Sequence, residues 1–437
     1  MKMSAIVAMA LPLVTVHATP VAAITSFSQS EDRTVTITYT LTEDAIVTLA
    51  AETNASGEWV AISDSVFHCM SGDVNREVSA TGSGMFRKIE WHPDYADMGA
   101  SIGSAEVRPI LSAWPKDDPP DYMVVDLAET SDCRVRYYAT TNALPGGLFG
   151  NEAYRTTKLV LRKIPAKGVT WMMGSSTDEN KRNCGVGSGV EAEALHSVSF
   201  DSNYYMAVFE TTQAQWIMIK NGNLATFTTG DDSLVFPENG VSYCDVREGS
   251  ANTPDVSYEY PNSPHADSFL GKLRRRTGLS GFDLPSDAEW EYACRAGNGH
   301  SRWGNGEIYE YSTSYDSRIP GRYQYNQPNS TQSPAPVGSY APNDWGIYDM
   351  HGNVFEWCLD WYKNDITALG GAINTVGGTS GAYKGVTAKH RNRRGGAYNL
   401  PPSWLRSACR TPEPGNSRGG QNGFRVKYGA AKVTSAQ

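Results

Sequence analysis

Several things are scarce in this chain of 437 residues, and each scarcity removes a class of function. Basic residues are outnumbered, with 38 Lys and Arg against 47 Asp and Glu, a net charge of −9. Nucleic-acid binding needs concentrated positive charge, and the densest basic run is only Arg274-Arg275-Arg276, on an expected helix. A nucleic-acid partner is therefore not expected. No two of the seven cysteines stand in a CxxC pair, and no zinc-ligand spacing is visible, which argues against a structural zinc. The eight histidines form no HxxxE or comparable paired motif. Beyond the first residues no apolar run is long enough to cross a bilayer, so no transmembrane span is expected.

What is present begins at the N-terminus. Lys2 precedes an apolar run from Ala5 to Val16 and then small residues, the three-part pattern of a secretory leader over residues 1–23. Cleavage fits after Ala18 or after Ala23, and no nearby cysteine offers a lipid anchor. An exported protein is expected, secreted or held at the cell surface or in a periplasm. Export permits disulfides, although an odd number of cysteines leaves at least one unpaired within the chain. Cys294 with Cys409, and Cys184 with Cys244, are the pairs considered.

Residues 24–114 read as short strands. TVTITYTL and AIVTLAAET alternate apolar and polar side chains on either side of Thr42-Glu43-Asp44. A small immunoglobulin-like or fibronectin-like β-sandwich is expected there. The proline-rich, charged run PKDDPPD opens a linker with connecting strands over 115–154. Later the texture becomes loops with short helices. Thr212 to Gln215 and Ser286 to Glu289 are capping-box patterns, and Ser263-Pro264 marks a further helix start before Gly278. The fold class read from this is α+β, with residues 429–437 as a tail.

Seven phrases occur in order: WMMGS, FETTQAQW, LPSDAEWEYACRAG, GIYDMHGNVFEW, RRGGAY, RSACR and NGFRV. Together they resemble the formylglycine-generating-enzyme, or sulfatase-modifying-factor, family over about residues 155–428. The resemblance implies a C-type-lectin-like fold with little regular secondary structure. In that family's oxidases two cysteine thiolates hold copper, and oxygen converts a sulfatase cysteine to formylglycine. Soft Cu(I) suits thiolates. By position the first cysteine is Leu400 here, and the second falls at Trp404 or Leu405. Neither can ligate copper, so copper is not expected, and no catalytic residue is assigned.

The same resemblance implies a calcium held by Asp349, the carbonyls of Gly352 and Val354, and Glu356, hard oxygen donors of the kind calcium prefers. A second family calcium would fall near Asn326 and Asn329, where the match is poor. Trp361, Leu400, Trp404 and Arg406 are the candidate ligand contacts. Arg394, Arg406, Arg410 and Arg425 also read as structural guanidinium groups, each with five donors for loop carbonyls. The function expected is a non-catalytic, calcium-bearing module for a peptide, glycan or surface protein. One alternative is an oxidoreductase of the family with a divergent site. Another is a retroelement-diversified lectin-like receptor, with Asn399, Trp404, Asn416 and Gln421 as variable positions.

Overall fold

A computed structural model describes residues 19–31, 34–55, 57–62, 69–82, 84–92, 107–129, 134–179, 182–183, 191–220, 232–249, 261–298, 316–327, 332–366, 390–429 and 433–434. The chain divides into two units, Met1–Ile62 with Val66–Lys116, and Asp117–Gln437 with Ser63–Ser65.

The first unit is all β. Strands Ala22–Gln29, Val35–Leu41, Arg87–His92 and Cys69–Gly72 form one sheet in that order. In a second sheet Ala45–Ala55 pairs with Glu58–Ala61, with Glu77–Val78 and along its length with Val107–Pro115. Alternation dictates the packing: Val35, Ile37, Tyr39 and Leu41 point inward and their neighbours are half-buried. They meet Val47 from the other sheet, with Ile89 and Trp91. Burying side chains of this size is worth roughly 1.5–3 kcal/mol each, so the unit has a core of its own. Thr42–Asp44 does not close a hairpin; the strands flanking it lie in different sheets. The strand Ala22–Gln29, which overlaps the end of the expected leader, was not legible as one.

Among the described residues, the second unit is built on three sheets. The largest runs Val135–Tyr138, Tyr122–Asp126, Lys158–Ile164, Tyr204–Ala207, Lys427–Tyr428, Phe282–Asp283, all antiparallel. Residues expected to connect two domains are thus part of this sheet. Met123, Val125 and Leu127 sit in its core beside Leu159 and Leu161. Another sheet orders Thr411–Pro414, His390–Arg394, Phe355–Trp361 and Asn422–Gly423, and its last pair is parallel. In the third sheet His196–Phe200 pairs with Thr170–Met173 on one side and Val433–Thr434 on the other.

Helix α1 (Gln213–Lys220) opens on the expected reciprocal cap: Gln215 N–H donates to Thr212 Oγ1, and Thr212 N–H to Gln215 Oε1. Its expected terminator, Asn221-Gly222, lies outside the described residues. Helix α2 (Phe269–Thr277) starts later than Ser263-Pro264 predicts, because Ser268 is the residue that caps Gly271 N–H. It ends on left-handed Gly278. Helix α3 (Asp287–Arg295) carries the full Ser286/Glu289 capping box and is buried on every side. No described helix is long and apolar enough to cross a membrane.

Candidate functional site

The loop from Asp349 to Val354 has an unusual backbone. Asp349 (φ 59°) and Asn353 (φ 60°) are left-handed, as is Gly352 (φ 89°). A side chain at Gly352 would collide with the Arg322 carbonyl, so glycine is required there. Gly352 N–H donates to the Gly395 carbonyl at 2.7 Å, which ties this loop to the Gly395-Gly396 turn.

Three carboxylates gather around the loop. Glu356 leaves it at the start of a strand and takes Arg425 Nη2 at 2.7 Å and Trp290 Nε1 at 2.6 Å. Asp349 Oδ2 accepts Gly338 N–H at 2.6 Å, while its Oδ1 is buried without a hydrogen-bond partner. Glu210, just before α1, accepts Asn353 Nδ2 at 2.6 Å and Val354 N–H at 3.1 Å. Burial first, then proximity to Asp349 and Glu356, pushes Glu210 well above the usual carboxylate range. Burial likewise raises Asp349 to about 6. Glu210 was missed by sequence reading. Its only signal was an acid between Phe209 and Thr211 in a run with no other charge.

These donors suit a hard cation. The described residues contain no group of three or more His, Cys, Asp or Glu side chains that could together hold a metal. The expected calcium set, however, has only two side chains and two carbonyls. Asp349 Oδ1 is free for such an ion. Glu356 takes Arg425 Nε on both oxygens at 3.2 and 3.1 Å, Arg425 Nη2 at 2.7 Å and Trp290 Nε1 at 2.6 Å, so a carboxylate's four acceptor positions are all met by protein donors. Of the two side chains in the expected calcium set, Asp349 Oδ1 is thus the oxygen without a protein donor. Asn326, proposed for a second ion, spends its amide on Tyr323 N–H and the Gly321 carbonyl. Asn329 lies outside the described residues.

The stretch at 395–410 is built differently. Gly395 and Gly396 are left-handed, and a side chain on Gly396 would press on the Trp404 carbonyl and Leu405. Pro402–Leu405 forms one 3-10 turn. Leu405 is buried with Ile319 and Tyr323, and half-buried Leu400, Trp404 and Tyr325 pack against them. Where two thiolates would have to stand, the side chains are thus hydrocarbon and indole. Leu400, and Trp404 or Leu405, the positions the resemblance implies, carry no thiolate for copper. Cys244, Cys294 and Cys358 are buried and form no disulfide, and Cys409 is buried as well. This corrects the Cys294–Cys409 pairing and removes Cys244 from the other pair; Cys184 lies outside the described residues. Cys294 Sγ is instead 3.6 Å from His351 Nε2, and His351 Nδ1 donates to the Leu405 carbonyl at 2.8 Å. Burial pushes the Cys294 thiol up and lowers His351 to about 4, so both are neutral and hold the loop rather than react.

Two of the candidate ligand contacts are interior. Trp361 is 1% exposed with the Arg391 guanidinium 3.5 Å above its ring. Arg406 is fully buried and binds Glu193 at 2.8 Å and Glu179 at 2.7 Å. Neither presents a surface to a ligand, because each is consumed by an internal partner. Leu400 and Trp404 retain exposure, as do Asn399, Asn416 and Gln421. The arginines serve loop carbonyls as expected. Arg425 donates to Ala207, Val208 and Tyr348, Arg410 to Ala192 and Lys363, and Arg394 to Ser407. Asp287 compensates Arg394 and Arg410 together.

The profile of the sulfatase-modifying factor enzyme 1-like domain matches residues 161–428, which takes in the carboxylate loop, the apolar loop and the arginine set. The chain belongs to that family. Its second unit has the family's C-type-lectin-like, loop-rich fold, and its first unit is a separate all-β domain. Among relatives of this sulfatase-modifying-factor protein, the formylglycine-generating enzyme of Mus musculus is 33% identical over 320 residues, 66% of this chain and 80% of that protein. "Chaperone protein LppX" of Paenibacillus barcinonensis is 28% identical over 208 residues, 42% of this chain and 74% of that protein. The solved structure of PvdO from Pseudomonas aeruginosa aligns with 62% of this chain and 94% of its own, at 23% identity and a TM-score of 0.44.

Proposed function

We propose that this sulfatase-modifying-factor protein is exported and binds a peptide, glycan or surface protein, without copper-dependent cysteine oxidation. The observation that carries the reading is the apolar cluster of Leu400, Trp404 and Leu405 on Ile319, Tyr323 and Tyr325. It supplies no metal donor, yet Leu400, Trp404 and Tyr325 remain partly open, an aromatic-lined surface suited to contact. Calcium is the proposed ion, held by Asp349, the Gly352 and Val354 carbonyls and Glu356. When bound it would balance buried negative charge and fix the loop that the Gly352–Gly395 hydrogen bond joins to the apolar turn.

Two measurements test the proposal. Protein incubated with copper, oxygen and a peptide carrying a CxPxR sequence is expected to leave the cysteine unchanged by mass spectrometry. Detection of formylglycine would overturn the reading. On glycan and peptide arrays, any signal of the native protein should be lost in Trp404→Ala, whose fold is checked by circular dichroism. Signal that survives this substitution would place contact elsewhere.

A further inference from the structure

Two leader cleavage points satisfy the small-residue rule equally well in sequence: Val16 and Ala18 precede one bond, Val21 and Ala23 the other. The folded first unit distinguishes them. Ala22–Gln29 is a strand, with Ala22 opposite Leu41 and Ala23 opposite Thr40. The pairing extends one residue further back. Val21 N–H donates to Thr42 Oγ1 at 2.9 Å, and Thr42 N–H donates to the Val21 carbonyl at 3.1 Å. Ala22 packs against the core that holds Leu41 and Tyr39. Pro20 is itself buried, and Thr19 before it is exposed.

We infer that the exported chain is processed between Ala18 and Thr19. This rests on the reading of the N-terminus as a secretory leader. The host's signal peptidase adds water across the Ala18–Thr19 peptide bond, leaving a carboxylate on Ala18 and a free amine on Thr19. Cleavage after Ala23 would remove buried Pro20 and the Val21–Ala23 segment. Thr42 N–H would lose its partner, and the edge strand would begin at Ile24 with its paired, core-facing end gone. The turn at Thr42–Asp44, where the chain passes from one sheet to the other, would lose its brace. Processing after Ala18 leaves the whole packed strand in the mature protein, with one exposed residue before it.

The full-length chain, expressed with its leader in a host that exports it, is to be recovered and read by N-terminal sequencing and intact mass. A start at Thr19 is expected. A start at Ile24 overturns the inference while leaving the leader reading intact; a recovered chain still starting at Met1 overturns both. As a second measurement, chains made without a leader and beginning at Thr19 or Ile24 are compared by thermal melting. The Ile24 chain is expected to melt at a lower temperature in the transition assigned to the first unit. Equal melting of the two would remove the structural ground for the choice and overturn the inference.

Discussion

Substituting Asp349 by Asn should abolish the protein's stabilisation by calcium, so that calcium reverses which of the two proteins is the more stable. Without an ion, the Asp349 carboxylate is buried with one oxygen unpartnered and with Glu210 and Glu356 close by. Burial raises its pKa to about 6, so above that pH the ionised native state carries a penalty that the unfolded chain does not. Holding this carboxyl at about 6, where an ordinary Asp titrates near 3.8, corresponds to roughly 3 kcal/mol at about 1.4 kcal/mol per tenfold change. Asparagine removes the charge and keeps an acceptor for Gly338 N–H, at a cost of about 1 kcal/mol for the weaker hydrogen bond. In EGTA at pH 7, Asp349→Asn is therefore expected to be more stable than the native protein by about 1–2 kcal/mol. With free calcium at about 100 times Kd, the native protein gains about 2.7 kcal/mol and overtakes it. Urea unfolding followed by the fluorescence of buried Trp290, Trp357 and Trp361 reads both arms. If the native protein ignores calcium, or the variant responds equally, the assignment of Asp349 to an ion site is wrong.

Arg425→Lys keeps the charge but cannot reach Glu356 and the carbonyls of Ala207, Val208 and Tyr348 together, so urea denaturation should show a loss of about 2–4 kcal/mol. A loss under about 1 kcal/mol would mean those carbonyls find other donors. Glu238 is raised to about 7, first by burial and then by Asp245, so stability should decline as pH rises from about 4.5 to 7. Solvent screening limits this to about 1–2 kcal/mol, and Glu238→Gln should flatten the slope; an unchanged slope assigns it to another group. His351, lowered to about 4 by burial, acts in the opposite direction, with stability lost as pH falls from about 6.5 toward 4. His351→Gln should remove about 3 kcal/mol of that acid sensitivity, measured as the difference in unfolding free energy between pH 7 and pH 4.5. Native protein treated with iodoacetamide should stay unlabelled at Cys244, Cys294, Cys358 and Cys409, which are buried and for three of which burial raises the thiol pKa. Label on any of them before unfolding, seen by peptide mapping, would contradict that burial.

Much of the site's composition was readable because it rests on local rules. The Thr212–Gln215 and Ser286–Glu289 caps each involve residues three apart, so the sequence pattern contains the whole interaction. Loss of copper ligation at Leu400 needs only the chemistry of a hydrocarbon side chain. Glu210 and Trp290 were not readable as partners of the carboxylate loop. Each comes from a separate segment, and nothing in either marks the approach to Asn353 or Glu356. Trp361 and Arg406 looked like contacts because aromatic and cationic side chains do bind ligands. Arg391, Glu193 and Glu179, distant in the chain, claim them instead.

By itself the sequence determined which chemistry was possible: acidic balance, no metal-binding cysteine pair, alternating strands in the first unit, and ordered phrases in the second. Those properties belong to side chains and to short stretches of backbone. Tertiary structure alone decided that Tyr122–Asp126 and Val135–Tyr138 join the main sheet, and that Thr42–Asp44 links two sheets. It also decided that Cys294 faces His351 rather than Cys409. Such outcomes depend on which distant groups satisfy each other's buried hydrogen bonds and charges, a requirement of the whole packed unit.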